Sequence, residues 1–138
     1  MKLHLLLATL ALTLGPLLVS EGAQQASGLL HPREKHLRNI RQLTFGGENA
    51  EAYFSADDRQ LIFQARRGDG DCDQIYIMNT DGSGKRMVST GHGRTTCSYF
   101  FPDGKRIIYS STHLASPECL PSGDHRRGYP LYASYDIF

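Results

Sequence analysis

Three cysteines in the second half of the chain are the side chains best suited to chemistry. They are Cys72, Cys97 and Cys119. In an oxidising compartment thiols form disulfides, and three of them allow one bridge and one free thiol. We expect Cys97 to pair with either Cys72 or Cys119, and the sequence leaves both pairings open.

Metal binding is the alternative chemistry for this part of the chain. Zinc sites in proteins usually contain closely spaced ligand pairs, which this sequence lacks. The potential ligands are His92, Cys97, His113, Cys119 and His125. Residues 69–73 alternate aspartates as a calcium loop does, but Gln74 occupies the glycine position of such a loop and no glutamate closes it. We therefore predict no metal and no other cofactor.

A catalytic nucleophile is not indicated. A serine hydrolase needs a Gly-x-Ser-x-Gly elbow, and the nearest segment, residues 81–84 (DGSG), lacks the first glycine and has the composition of a hairpin turn. His113 and Asp124 have no nucleophile beside them in the sequence. We therefore predict that the chain is not an enzyme.

The composition restricts the class of partner. The chain has 138 residues, with 15 Lys plus Arg against 14 Asp plus Glu and a formal net charge of +1. Binding to nucleic acid depends on a strongly basic surface, so this balance argues against such a partner. The hydrophobic fraction of 40% is too high for a wholly disordered chain. A folded protein without a nucleic-acid partner is expected.

Residues 1–22 have the pattern of a secretory signal peptide. Lys2 precedes an almost continuously apolar run, and small residues follow it, so we place the cleavage after Gly22 or Ala23. The run is shorter than the ~20 residues that a membrane span needs. The protein is therefore predicted to be periplasmic or secreted, with no stable membrane span after cleavage. Residues 23–40 are polar and are interpreted as a linker or arm.

From residue 41 onward the chain repeats itself at a shift of 46 residues. Residues 54–63 (FSADDRQLIF) match residues 100–109 (FFPDGKRIIY) position by position at this shift. Repeats of this length are typical of propeller blades and solenoid units.

Each copy has the pattern of an antiparallel β-meander. The first copy predicts strands at residues 52–54, 61–64, 74–78 and 86–89, with turns at 56–59 and 79–84. The second predicts strands at 97–101 and 107–110, a proline-rich insertion at 113–132, and the start of a third strand at 135–138. The aromatic residues of these strands are expected in the core between the copies. They are Tyr53, Phe54, Phe63, Tyr99, Phe100, Phe101 and Tyr109.

The motif FSxDxRxLIF, followed by DQIYIMNTDGSG and FPDGKRIIY, resembles the WD40-like β-propeller repeat of TolB-type proteins. The resemblance covers residues 41–138, with blade 1 at about 41–90 and an incomplete blade 2 at about 91–138. It implies an all-β, secreted or periplasmic propeller that binds a protein partner without catalysis. The alternative is the substrate-gating propeller portion of a larger secreted serine hydrolase of the prolyl-oligopeptidase type.

Fewer than two blades do not make a closed propeller. Propellers typically have four to eight blades, which protect the edges of their sheets. We therefore interpret the chain as a fragment, whose remaining blades are missing or are supplied by oligomerisation.

Blade geometry predicts that three loop segments share one face. In a four-stranded meander the loop between the second and third strands lies on the same side as the connection between blades. Here these segments are residues 66–72, 91–96 and 113–132, and we call them together the loop face. We expect a protein partner to bind there. The candidate binding residues are His92, Arg94, His113, Glu118, Asp124 and His125.

Overall fold

A computed structural model describes residue 29 and residues 31–68, 71–121 and 132–138. The predicted signal peptide and the candidate residues Asp124 and His125 lie outside the described residues. In the described part every regular element is a β-strand, which confirms the predicted all-β class. None of the described residues forms a helix with the length and apolar character needed to cross a membrane.

The first sheet is a four-stranded antiparallel meander. Its strands are β1 (Glu48–Phe54), β2 (Gln60–Arg66), β3 (Gln74–Asn79) and β4 (Arg86–Met87), in the order β1-β2-β3-β4. The β1–β2 turn is closed by the Ser55 N–H, which donates to the Gln60 carbonyl at 2.9 Å. The predicted four strands are confirmed. β1 begins earlier than predicted, because Asn49 and Ala50 also pair with β2.

The second sheet has three antiparallel strands. They are β5 (Thr95–Phe100), β6 (Ile107–Ser111) and β7 (Asp136–Ile137), in the order β5-β6-β7. The third strand is short, but Tyr109 and Phe138 exchange two backbone hydrogen bonds at 3.1 and 3.0 Å beside it. The predicted return of the chain to a third strand after the insertion is therefore confirmed.

The two hairpins β1–β2 and β5–β6 have the same backbone irregularity. The register shifts between Ala50 and Tyr53 in one and between Thr96 and Tyr99 in the other. After each bulge the pairing resumes at equivalent positions, Tyr53 with Ile62 and Tyr99 with Ile108. The 46-residue shift that relates the two sequences therefore also relates the backbone geometry of the two hairpins.

An apolar core lies between the two sheets. Ile62, Ile75 and Ile77 of the first sheet are buried, and Phe100 and Tyr109 of the second sheet pack against them. On the other face of the first sheet a second cluster is buried; it consists of Leu61, Phe63, Ala65 and Met78, with Leu43 and Tyr76 packed against it. β2 is thus buried on both faces, which explains its nearly continuous apolar sequence.

The prediction that all the strand aromatics lie in the core is wrong for two of them. Phe54 is 63% exposed and Tyr99 is 45% exposed. Successive side chains of a strand point to opposite faces, so Phe54 lies on the opposite face from Tyr53, where it remains outside the second buried cluster. Tyr99 lies at the margin of the core, where its ring centroid is 4.3 Å from that of Tyr53.

Polar contacts also join the two sheets at the second bulge. The Gln64 side-chain oxygen on β2 accepts hydrogen bonds from the Thr96 hydroxyl at 3.1 Å and from the Cys97 N–H at 3.2 Å. The Thr95 hydroxyl donates to the Asp73 carbonyl at 2.8 Å. These bonds fix β5 against the first sheet and so determine where the loops between the sheets emerge.

Candidate functional site

A disulfide joins two of the three loop segments. Cys72, in the β2–β3 loop, is bonded to Cys119, in the insertion that follows β6, with a Cα–Cα distance of 5.3 Å. The expectation that Cys97 takes part in the bridge is wrong, because Cys97 is a free, exposed thiol. Cys97 lies within β5, where its backbone N–H donates a hydrogen bond to the Gln64 side-chain oxygen. The paired cysteines lie instead on the loops that the packed sheets bring together.

A close backbone approach connects the β4–β5 loop to the same insertion. The Gly93 N–H donates to the Pro117 carbonyl at 2.8 Å. Gly93 has a φ of 65°, and a Cβ atom at this position would lie 2.7 Å from the backbone of His113 and 3.0 Å from the Ser116 carbonyl oxygen. Only glycine permits this conformation and this separation together.

A buried glutamine at the first position of β3, directly after the β2–β3 loop, completes the connection between the three segments. The Gln74 side-chain amide donates to the Gly93 carbonyl at 2.9 Å, and its oxygen accepts from the Ser89 hydroxyl at 2.7 Å. The Ser89 oxygen in turn accepts from the Ile75 N–H at 3.0 Å. Both ends of the buried amide are satisfied, so the arrangement is stable. The β2–β3, β4–β5 and β6–β7 segments are thus each connected to the other two, and we call these three connections the ring of links.

Arg94 supports this ring from within. Its side chain is 13% exposed, and its guanidinium donates to the Leu120 carbonyl at 2.7 Å and lies 5.5 Å from the Tyr132 ring centroid. The carboxylate of Asp73 lies 4.0 Å from the guanidinium. Desolvation raises the pKa of Asp73, and the attraction of Arg94 opposes this only in part. Burial likewise raises the pKa of the nearby Tyr135. The guanidinium of Arg94, which was predicted to bind a partner, therefore makes its contacts within the protein.

The other predicted binding residues divide into exposed and internal positions. His92 and Glu118 are exposed on the β4–β5 loop and on the insertion. His113 is half-buried, with its ring centroid 4.1 Å from that of Phe138. The loop face therefore presents His92 and Glu118 as accessible side chains.

The Ser111–His113 contact has the composition of a catalytic pair but not its accessibility. The Ser111 Oγ lies 2.8 Å from the His113 Nδ1 and also accepts the His113 backbone N–H at 3.2 Å. Ser111 is 1% exposed, so a substrate carbonyl cannot reach its hydroxyl. The two residues form a local turn of the kind that serine hydroxyls stabilise.

A cavity of about 330 Å³ lies beside the disulfide. Arg67 and Asp71 supply its charged groups, and Tyr76, Met87 and Pro117 its apolar surface. The guanidinium of Arg67 lies over the Tyr76 ring, 4.9 Å from its centroid. The sequence places Arg67 and Asp71 in the 66–72 segment of the loop face, but it does not indicate that they share a cavity with Tyr76, Met87 and Pro117. The small residues Gly91 and Gly93, which also line the cavity, are the sequence feature that could have indicated open space there.

No group of three or more His, Cys, Asp or Glu side chains within the described residues is arranged to hold a metal ion. Cys119, one of the potential zinc ligands, is occupied by its bond to Cys72.

No family model, no curated protein and no solved structure matches this chain. The fold and the site define the class: an all-β protein of two packed antiparallel sheets, in which a disulfide joins two of three neighbouring loop segments and hydrogen bonds attach the third.

Proposed function

We propose that residues 41–138 form two neighbouring blades of a secreted β-propeller, with four and three strands, whose loop face binds a protein partner without catalysis. The recurrence of the bulge and of the strand register at a shift of 46 residues supports two equivalent blades. The packing of Ile62 and Ile77 against Phe100 of the second sheet supports their neighbouring arrangement. The resemblance to the TolB-type repeat implies the same architecture.

The ring of links among the three loop segments is the observation that carries the binding proposal. Loops on a rigid scaffold commonly provide binding surfaces. Here a disulfide, the Gly93–Pro117 hydrogen bond and the Gln74 amide hold the loops before any partner arrives. Such preorganisation lowers the entropic cost of association.

The chemistry of the chain supports a secreted, non-catalytic role. A disulfide is stable in an oxidising compartment such as the periplasm or the cell exterior. The burial of Ser111 supports binding rather than acyl transfer, because the nucleophile of a hydrolase must be accessible to its substrate.

Site-specific photo-crosslinking tests the proposal. A photoreactive residue replaces His92 or Glu118 on the loop face, or Arg59 on the opposite face, in the full chain secreted by its own cell. Arg59 is a matched control because its side chain is 85% exposed and lies in the β1–β2 turn. We expect the same crosslinked protein from both loop-face positions and none from Arg59. No crosslink from the loop face, or equal crosslinking from all three positions, would refute the proposal.

A further inference from the structure

We propose that the cavity beside the Cys72–Cys119 disulfide binds the carboxy-terminal residue of a peptide chain. The inference rests on the proposed function, since it names the part of a protein partner that the loop face takes. The cavity volume of about 330 Å³ lies at the small end of the range of ligand pockets, about 300–1,000 Å³. It therefore suits the end of a chain better than a large cofactor.

Arg67 provides the recognition of a carboxylate. Its guanidinium lies over the Tyr76 ring, and among the described residues no carboxylate is paired with it. A cation–π contact of this kind holds a guanidinium in place without using its N–H groups. Those N–H groups match the two oxygens of a carboxylate.

Asp71 distinguishes a peptide end from other anions. Its carboxylate lines the same cavity as Arg67. The negative charge of Asp71 would repel a doubly charged phosphate more strongly than it repels a singly charged carboxylate. A peptide terminus carries one negative charge and an N–H donor close to it, and Asp71 can accept that N–H. The pair of opposite charges therefore favours a carboxylate with an adjacent N–H group.

The remaining cavity wall suits an apolar side chain. Met87 is 42% exposed, and Pro117 and the Tyr76 ring lie on the same cavity. Methionine is flexible and polarisable, so it adapts to aliphatic and aromatic groups of different shape. We therefore infer that the bound terminal residue is apolar.

The disulfide makes the cavity dependent on the redox state. Cys72 and Cys119 both line the cavity, and they come from loops that are far apart in the sequence. Pro117 is held to the β4–β5 loop by its hydrogen bond from Gly93, and the disulfide holds the insertion to the β2–β3 loop that carries Arg67 and Asp71. Reduction removes the covalent link between these two parts of the wall.

Calorimetric titration of the full oxidised chain with N-acetyl-Gly-Gly-Leu tests the inference. The matched probe is the same peptide with an amidated end. We expect binding of the acid at least about tenfold tighter than that of the amide, and a similar loss for Arg67→Gln. Arg59→Gln is the control and should bind as the wild type does. The urea midpoints of both variants should equal that of the wild type, which separates lost binding from lost folding.

Several outcomes would overturn the inference. They are equal binding of acid and amide, wild-type binding by Arg67→Gln, binding that survives replacement of both Cys72 and Cys119 by serine, and no heat at millimolar peptide. Free leucine or inorganic phosphate that binds as tightly as the peptide would also overturn it. If the titration fails while His92 and Glu118 still crosslink to a partner, only this inference fails. If both experiments fail, the proposed function fails with it.

Discussion

Glu51 and Cys97, which are 46 residues apart, have the same left-handed backbone conformation, with φ values of 51° and 49°. Each lies at the bulge of its hairpin, between the two registers of strand pairing. A bulge inserts a residue that is unpaired in the ladder, and the strand bends there. Positive φ is uncommon for residues other than glycine, so its recurrence at equivalent positions indicates a shared backbone design.

Substitutions at the bulges are expected to depend on backbone conformation. Cys97→Val should lower the free energy of unfolding by about 1–2 kcal/mol relative to Cys97→Asn, because a β-branched residue tolerates positive φ poorly and asparagine tolerates it well. Urea denaturation under oxidising conditions measures the difference. Glu51→Val should likewise be less stable than Glu51→Asn by about 1–2 kcal/mol. A stability difference at only one of the two positions would contradict the equivalence of the two bulges.

Removing the disulfide should destabilise the chain far more than removing the free thiol. Replacement of Cys72 and Cys119 by serine together opens a loop with a sequence separation of 47 residues. The chain-entropy model gives a loss of about 4 kcal/mol for a loop of this length. Cys97→Ser should change the free energy of unfolding by less than about 1 kcal/mol, as is usual for exposed positions. Equal urea midpoints for the two variants would contradict the assigned pairing.

Gly93 and Gly104 form a matched pair for testing the contact between the loops. Both have a φ of 65°, but nothing lies within 4 Å of a Cβ atom at Gly104, whereas at Gly93 the backbone of His113 lies 2.7 Å away. Gly104→Ala should cost about 1 kcal/mol from the positive φ alone. Gly93→Ala should cost at least about 1 kcal/mol more, from steric overlap. Equal costs in chemical denaturation would show that the loops do not approach as described.

Asp73 should make a pH-dependent contribution opposite in sign to that of the carboxylates in the turns. Its folded-state pKa is raised, mainly by desolvation, so the native state binds a proton more readily than the unfolded state does. The free energy of unfolding should therefore fall as the pH rises above the ordinary aspartate pKa of 3.8 and through the raised pKa. The pKa values of Asp57 and Asp103 are lowered by hydrogen bonds, so their stabilisation is lost as the pH falls.

Asp73→Asn isolates this contribution. The substitution should gain stability relative to the wild type as the pH rises through this window, with little difference at lower pH, where the aspartate is protonated in both states. Urea denaturation across acidic to neutral pH measures the difference. A variant whose stability relative to the wild type falls with rising pH would show that the attraction of Arg94 outweighs desolvation.

The strands and turns could be predicted because their signals are local. The apolar runs of β2 and β3 and the turn residues at 79–84 each act within a few residues of the chain. The full length of β1 was missed, since the pairing of Asn49 and Ala50 resumes beyond a bulge that has no clear sequence signature. Phe54 lies on the face of β1 opposite to Tyr53, and its exposure was missed because the local pattern does not show how far that second face is covered.

The sequence by itself determined the meander, its turns and the three segments of the loop face, because hydrophobic periodicity and turn chemistry operate over short distances. Only the tertiary structure decided that Cys72 rather than Cys97 meets Cys119, because a disulfide needs two Cα atoms at about 5–6 Å. That distance is set by the packing of Ile62 and Ile77 against the second sheet and by the Gly93 contact. The cavity beside Arg67 follows from the same packing, so no short stretch of sequence encodes it.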